Sequence, residues 1–164
     1  MSQPASERPR GVWFAVDVGS VRVGVARSDP RGVLAVPVTT LRRDRRLGTD
    51  LDELAALLGE HEGVGVVIGL PRTLAGRDGS AVMEAKDYAQ ALAPRIAPLP
   101  VIFVDERLTT VLAQRNLSSS GVPGRKKRAV VDQAAAVEIL QSFLDGTAQQ
   151  HPAPAGPESG SGTP

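Results

Sequence analysis

The stretch VWFAVDVGSVRVGVARSD at residues 12–29 decides the fold. It contains two short apolar runs, Val12–Val16 and Val21–Ala26, joined through the segment DVGS, in which Gly19 lies at the bend. Runs rich in β-branched residues on either side of a glycine-containing turn are typical of an antiparallel β-hairpin. The sequence therefore predicts that the sheet begins with two antiparallel strands, and that Asp17 lies where the first one ends.

Downstream of this hairpin, strands and helices alternate. Leucines from Leu47 to Leu58 recur at helical spacing, and so do apolar residues from Val82 to Leu92, while continuous apolar runs at 64–68 and 101–104 predict buried parallel strands. The predicted strands are 12–16, 21–26, 32–39, 64–68 and 101–104, and the predicted helices are 47–58, 82–94, about 109–117 and 129–144. The order βββαβαβαα predicts a single α/β domain in which a mixed sheet with an antiparallel hairpin start is flanked by helices. Pro37 favours an edge position for the third strand.

Composition sets the limits of this domain. The 164 residues include no cysteine and two histidines, which excludes disulfides, cysteine-ligated zinc and a histidine-based triad. The ends, 1–11 and 147–164, are polar or rich in Pro, Gly and Ser and are predicted to be disordered, so the folded domain is predicted at 12–146. No apolar run is long enough to cross a membrane and no signal core is present, so we expect a cytoplasmic protein without a membrane partner.

Three acidic residues on three elements are the main candidates for chemistry. Asp17 ends the first strand, Asp105 and Glu106 follow the strand at 101–104, and Asp132 shares the buried helical face of Ala136. Burying a carboxylate in such a place costs free energy unless a cation binds to it. Mg²⁺ is a candidate, because it is bound by carboxylates together with substrate phosphates. Two structural alternatives stay open, a turn aspartate for Asp17 and an N-cap for Asp132. Because strand side chains alternate, Asp105 and Glu106 cannot both face one site.

Basic residues form the second group of candidates, since arginine suits phosphate recognition. Arg22 in the hairpin either contacts phosphate or pairs with an acid, and Arg72 lies in a loop after a central strand. A run of basic residues lies in a predicted loop before the last helix. This run either binds the phosphate backbone of a nucleic acid or is simply exposed to solvent. The residues of this run are Arg125, Lys126, Lys127 and Arg128.

Four blocks of the sequence resemble the signature blocks of the YqgF/RuvX family, and they occur in the family's order. The blocks are FAVDVGSVRVGVARSD at 14–29, VVIGLPRTLAGRDG at 66–79, VDERLTT at 104–110 and VVDQAAAVEILQSFL at 130–144. The resemblance implies a ribonuclease-H-like fold and a nuclease that matures the 5′ end of pre-16S rRNA. It also implies that Asp17, Glu106 and Asp132 are the catalytic, metal-binding acids, with Asp105 in a supporting position or as the alternative ligand.

Together these inferences predict a Mg²⁺- or Mn²⁺-dependent nuclease whose partner is nucleic acid. A Holliday-junction resolvase acting on branched DNA is the alternative that the family also implies, and it would require a two-fold dimer, whereas an rRNA nuclease could act as a monomer. A non-catalytic nucleic-acid-binding factor is a third possibility, although such proteins would lack part of the acidic set. A resemblance of the hairpin to the phosphate loop of sugar kinases is disfavoured, because those enzymes enclose their nucleotide between two domains.

Overall fold

A computed structural model of the chain describes residues 10–71, 79–106, 125–146 and 150–153. The strands within these ranges are β1 (Val12–Val18), β2 (Arg22–Ser28), β3 (Ala35–Arg42), β4 (Gly63–Pro71), β5 (Val101–Glu106) and β6 (Gln150–Pro152). The helices are α1 (Thr49–Glu60), α2 (Gly79–Ile96) and α3 (Arg125–Asp145). None of the helices in these ranges has the length and apolar character needed to cross a membrane.

All six strands belong to one mixed sheet with the order β3-β2-β1-β4-β5-β6. The β1–β2 and β2–β3 pairs are antiparallel, whereas β1, β4 and β5 run parallel to one another. The hairpin and the parallel crossovers predicted from the sequence are confirmed, as is the edge position of β3 with Pro37. Because the central strands are parallel, the ends of β1, β4 and β5 lie at one edge of the sheet, together with the start of β2 and the end of β3. We call this the carboxyl edge.

Helices cover both faces of the sheet and bury two separate apolar clusters. On one face, Phe14 and Val16 of β1 pack with side chains of α1 and α2. On the other face, Trp13 and Ala15 pack with α3, and the rings of Trp13 and Phe143 lie edge to face with centroids 4.8 Å apart. The alternation along β1 therefore assigns odd-numbered positions of this strand to the α3 side of the sheet.

Several strand and helix ends are shifted by a few residues from the sequence prediction, and three differences are larger or involve an unexpected element. The helix α3 begins at Arg125, so the basic run 125–128 is the first turn of a helix and not a loop; Lys and Arg are good helix formers. The helix α2 continues through Pro94 to Ile96, because the buried Ile96 and the ion pair between Arg95 and Asp52 hold its last turn. The strand β6 lies inside the tail 147–164, where no secondary structure was expected, and pairs with β5. The helix predicted at 109–117 lies outside the described residues.

Candidate active site

Asp17 is a buried carboxylate inside β1, one residue before the strand ends. Its exposed fraction is 5%, and its partner in the antiparallel pair is Gly24 of β2. Position 17 has the same parity as Trp13 and Ala15, so it lies on the α3 side of the sheet at the carboxyl edge. The alternative of a turn aspartate is wrong, because Asp17 continues a regularly paired strand.

Asp132 is brought to the same face by α3. It is 8% exposed, and it lies about two turns after the start of the helix, so the alternative of an N-cap residue is wrong. The backbone of α3 lies directly over Gly24: a Cβ added to this glycine would be 3.0 Å from the amide nitrogen of Gln133 and closer still to the carbonyl group of Asp132. Since Gly24 is the cross-strand partner of Asp17, the absence of a side chain here lets α3 place Asp132 directly over the residue that pairs with Asp17.

The predicted helical face of Asp132 is confirmed by burial. Ala136, Ile139 and Phe143, which follow it at helical spacing, are all at most 5% exposed. The residue after Asp132, Gln133, donates to the hydroxyl of Thr40 at 3.1 Å, and farther along the helix Gln141 accepts from the amide of Ala35 at 2.9 Å. These two contacts with β3 set the rotation and position of α3, and therefore the position of Asp132 over Gly24.

Arg22 is the cation that pairs with Asp132. Its Nε donates to Oδ2 of Asp132 at 2.9 Å, and the exposed fractions of the two side chains are 31% and 11%. Of the two options left open by the sequence, pairing with an acid is the one observed. Within the described residues, the contact of Arg22 with Asp132 is made through Nε, and its two terminal nitrogens form no other hydrogen bond.

The pair Asp105 and Glu106 ends β5 at the carboxyl edge. Asp105 is half-buried and has the parity of Phe103, and its partner on β4 is Leu70; both apolar residues belong to the cluster under α1 and α2. Asp105 is thus placed on the face opposite to Asp17. Position 106 has the parity of Val104, which packs with α3, but the side chain of Glu106 lies outside the description, so its role as the ligand stays a prediction.

A further cation at this edge was missed by the sequence analysis. Arg42 ends β3 directly opposite Arg22 in the register and is exposed. Like charges directly opposite each other on neighbouring strands repel. Asp132 compensates the charge of Arg22, but no carboxylate in the described part of the chain forms an ion pair with Arg42. That Arg42 lies opposite Arg22 follows from the pairing register of β2 and β3, which the linear sequence does not show.

Arg72 lies outside the described residues. The first turn of α3 is formed by the backbones of Arg125, Lys126, Lys127 and Arg128, which lie one to two turns before Asp132 and whose side chains are outside the described part of the structure. Their contact with nucleic acid therefore stays a prediction.

The donor chemistry of this edge suits a hard divalent cation. Two buried carboxylates from separate elements provide the oxygen ligands that Mg²⁺ and Mn²⁺ prefer. Over the ranges described, no three His, Cys, Asp or Glu side chains come together as a metal-binding group. The fit to a metal thus rests on Asp17 and Asp132, with Glu106 as the third ligand predicted by the sequence.

Comparison with known proteins connects this edge to a family. The family model described as "RuvX: Holliday junction resolvase" matches residues 11–146. The chain belongs to the RuvX family. Residues 11–146 include all three predicted acids.

Relatives in the RuvX family cover most of this chain. A protein of Frankia casuarinae named "Putative pre-16S rRNA nuclease" is 60% identical over 134 residues, which are 82% of this chain and 66% of that protein. Proteins with the same name from Mycobacterium ulcerans and Mycolicibacterium paratuberculosis are 57% and 58% identical, over 83% and 87% of this chain and 79% and 84% of their own lengths. The chain thus spans about two thirds of the Frankia protein and about four fifths of the other two.

Solved structures identify the fold. The RuvC of T. thermophilus in complex with a Holliday junction substrate aligns with a TM-score of 0.52 at 14% identity, covering 87% of this chain and all of RuvC. A second RuvC structure from Thermus thermophilus gives the same TM-score, covering 85% of this chain. The RuvX chain therefore has a ribonuclease-H-like fold, as its resemblance to the family implied.

Proposed function

We propose that this protein is a divalent-metal-dependent nuclease that hydrolyses phosphodiester bonds of pre-16S rRNA during maturation of its 5′ end, in the cytoplasm. The observation that supports the proposal is that buried Asp17 pairs across the strands with Gly24, while the backbone of buried Asp132 lies directly over the same glycine, at the edge where the parallel strands end. Ligands of open α/β sheets bind at this edge of the strands. Family membership and the name shared by the curated relatives support the assignment to rRNA.

In this proposal, Asp17, Asp132 and Glu106 would hold Mg²⁺ or Mn²⁺. When bound, the metal would supply an activated water and charge stabilisation for the leaving oxygen. Asp17 and Asp132 are buried on separate elements, so the sheet and α3 restrict where their carboxylates can lie. Asp105 is assigned to the opposite face and has no ligand role here.

The remaining side chains of the carboxyl edge would position the substrate. Arg22 would keep Asp132 in place through Nε, while its terminal nitrogens would donate to a phosphate. Arg42, opposite Arg22, would contact a second phosphate. The basic first turn of α3 and Arg72 extend this surface, so nucleic acid would be recognised mainly through its backbone.

A second function is favoured by the description of the family itself, which names a Holliday junction resolvase. A resolvase cuts two strands related by two-fold symmetry, so it would act as a homodimer. An rRNA nuclease needs only one active site, and a monomer would suffice. A monomer found by light scattering of the purified protein would therefore exclude the resolvase, whereas a dimer would be compatible with both functions.

The test compares cleavage of a pre-16S 5′-leader RNA with cleavage of a synthetic four-way DNA junction, each with Mg²⁺, Mn²⁺ or EDTA. We expect metal-dependent cleavage of the RNA, its loss in Asp17→Asn, Asp132→Asn and Glu106→Gln, and its retention in Asp105→Asn. Asp52→Asn, which removes an exposed acid of α1 and its pair with Arg95, is the control for general effects of charge removal. Paired nicks in the junction with intact RNA would select the resolvase. If neither substrate is cut but both are bound, the protein is a binding factor.

A further inference from the structure

The turn between β1 and β2 is held by the segment that follows β3. Nη1 of Arg43 donates to the carbonyl oxygen of Gly19 at 3.0 Å, and Nη2 of Arg45 donates to that of Ser20 at 3.1 Å. The backbone amide of Arg43 donates to the carbonyl oxygen of Val21 at 2.8 Å. All three carbonyl groups of the turn are therefore bonded to the same short segment.

One carboxylate fixes both of these arginines. Oε2 of Glu84, on α2, accepts from Nη1 of Arg43 at 2.6 Å, and Oε1 accepts from Nη2 of Arg45 at 2.7 Å. Each of these nitrogens carries two hydrogens, and uses one for Glu84 and the other for a carbonyl of the turn. Glu84 therefore orients the two donors that hold the turn. We call Arg43, Arg45 and Glu84 the turn clamp.

The environment of the turn clamp makes it stiffer than an ordinary surface ion pair. The side chain of Arg43 is 10% exposed, that of Glu84 is 25% exposed, and only Arg45 is mostly in solvent, at 53%. The guanidinium of Arg43 also lies 5.5 Å from the ring centroid of Tyr88, one turn along α2 from Glu84. Charge-assisted hydrogen bonds of this length are stronger than neutral ones.

The clamped turn connects two residues of the active site. Asp17 lies two residues before Gly19, and Arg22, the partner of Asp132, directly follows Val21. The amide of Gly19 also donates to the carbonyl oxygen of Arg22 at 2.9 Å, which closes the turn. A displacement of this turn would therefore move Asp17 and Arg22 relative to α3, and displacements near 1 Å in an active site can cost about a hundredfold in rate.

We propose that Glu84 is a positioning residue of the nuclease site, which holds Asp17 and Arg22 in place through Arg43, Arg45 and the β1–β2 turn. The proposal rests on the proposed function only for its effect on catalysis, since its structural part concerns the turn itself. Glu84 has no role in binding substrate or metal. It acts across about forty residues of sequence and through two other side chains, so no local motif indicates it.

The test replaces Glu84 with Gln, which keeps the shape of the side chain but removes the charge. The first readout is amide hydrogen exchange at residues 19–22, which we expect to accelerate about tenfold in Glu84→Gln while exchange in the core strands is unchanged. The second is cleavage, where we expect kcat to fall about tenfold with KM nearly unchanged, because geometry and not binding is affected. Asp52→Asn breaks a more exposed carboxylate–arginine pair away from the turn, that with Arg95, and is expected to leave both readouts unchanged.

A double-mutant cycle separates positioning from a general loss of stability. In an Arg45→Met background, which already lacks one arm of the turn clamp, Glu84→Gln should accelerate exchange in the turn less than it does in the wild type. Unchanged exchange at residues 19–22 in Glu84→Gln would overturn the proposal, and so would a fall in kcat that matches the unfolded fraction. The exchange readout requires no cleavage, so failure of the proposed function would appear separately, as absent activity in the wild-type protein.

Discussion

Replacing Gly24 with Ala tests the closest contact in the active site. The added methyl carbon would lie 3.0 Å from the amide nitrogen of Gln133 and nearer still to the carbonyl group of Asp132. These are backbone atoms of a helix, so they cannot turn away as the end of a flexible side chain could. The substitution therefore forces α3 and β2 apart where the backbone of Asp132 lies over the strand partner of Asp17.

The size of this displacement follows from the contact distances. The optimal van der Waals separation of two non-bonded carbon atoms is about 3.5 Å or more, so the helix must move outward by roughly 1 Å near Asp132. Overpacking of this kind costs about 1–3 kcal/mol of stability. For a domain of this size, that lowers Tm by roughly 3–10 °C. A shift of about 1 Å at a catalytic carboxylate lowers kcat by about a hundredfold.

The assay measures Tm by calorimetry and kcat for the pre-16S leader RNA well below the Tm of the variant. The matched control is Gly59→Ala in α1, where an added Cβ meets nothing within 4 Å. This second substitution should stabilise the protein by about 0.5–1 kcal/mol, because alanine is the better helix former, and should leave kcat unchanged. The two glycine-to-alanine changes are thus expected to have opposite signs.

A Gly24→Ala protein with the wild-type Tm and kcat would refute the reasoning, because it would mean that α3 does not press against β2 at Asp132. A lowered Tm with an unchanged kcat would refute the catalytic part alone. It would show that the strain relaxes without moving Asp132 relative to Asp17.

Two further predictions concern charges near this edge. In Arg42→Gln, the slope of log Kd for RNA against log salt concentration should shrink by about 0.7–0.9, the value of one phosphate contact. Arg31→Gln, exposed in the turn at the opposite edge, should not change the slope, and an equal slope for both variants would remove Arg42 from the nucleic-acid surface. Hydrogen bonds from Arg45 and then Arg43 hold the pKa of Glu84 below its usual value of 4.5. The stabilisation from these pairs is therefore present above pH 4.5 and is lost as the pH falls through the lowered pKa. Between about pH 6 and pH 3, the Tm of the wild type should approach that of Glu84→Gln, and a constant difference would contradict this assignment.

Periodicity predicted most of the sheet, because each central strand is a nearly continuous apolar run and each helix shows one apolar face. The hairpin at β1 and β2 was predicted for the same reason, as its turn residues and its β-branched runs agree. The limits of such local reasoning appear at the ends of elements. The early start of α3 and the strand β6 depend on partners distant in sequence, since β6 exists only because β5 offers an unpaired edge.

Residues of the candidate site could be predicted where a charged side chain occurs in a segment of sequence that is otherwise apolar. Asp132 was found because an acid stood on an apolar helical face, and Asp17 because an acid closed an apolar strand. Gly24, Arg42 and Glu84 were not found. Their importance arises from a helix lying over a strand, from a cross-strand register and from a carboxylate bridging two arginines, which are all contacts between distant parts of the chain.

The pairing of β6 with β5 matters for how the protein is handled in the laboratory. Residues 150–152 occupy the outer side of β5 alongside Ile102, Phe103 and Val104, and the amide of Ala153 donates to the carbonyl oxygen of Val101 at 3.0 Å. Trimming the chain after α3 would leave this side of β5 with free hydrogen-bonding groups, and open strand edges recruit other chains and promote aggregation. Removal of residues 147–164 to aid crystallisation would therefore expose an aggregation-prone strand edge beside Asp105 and Glu106 at the end of β5. Affinity tags are better attached at the N-terminal side of the domain.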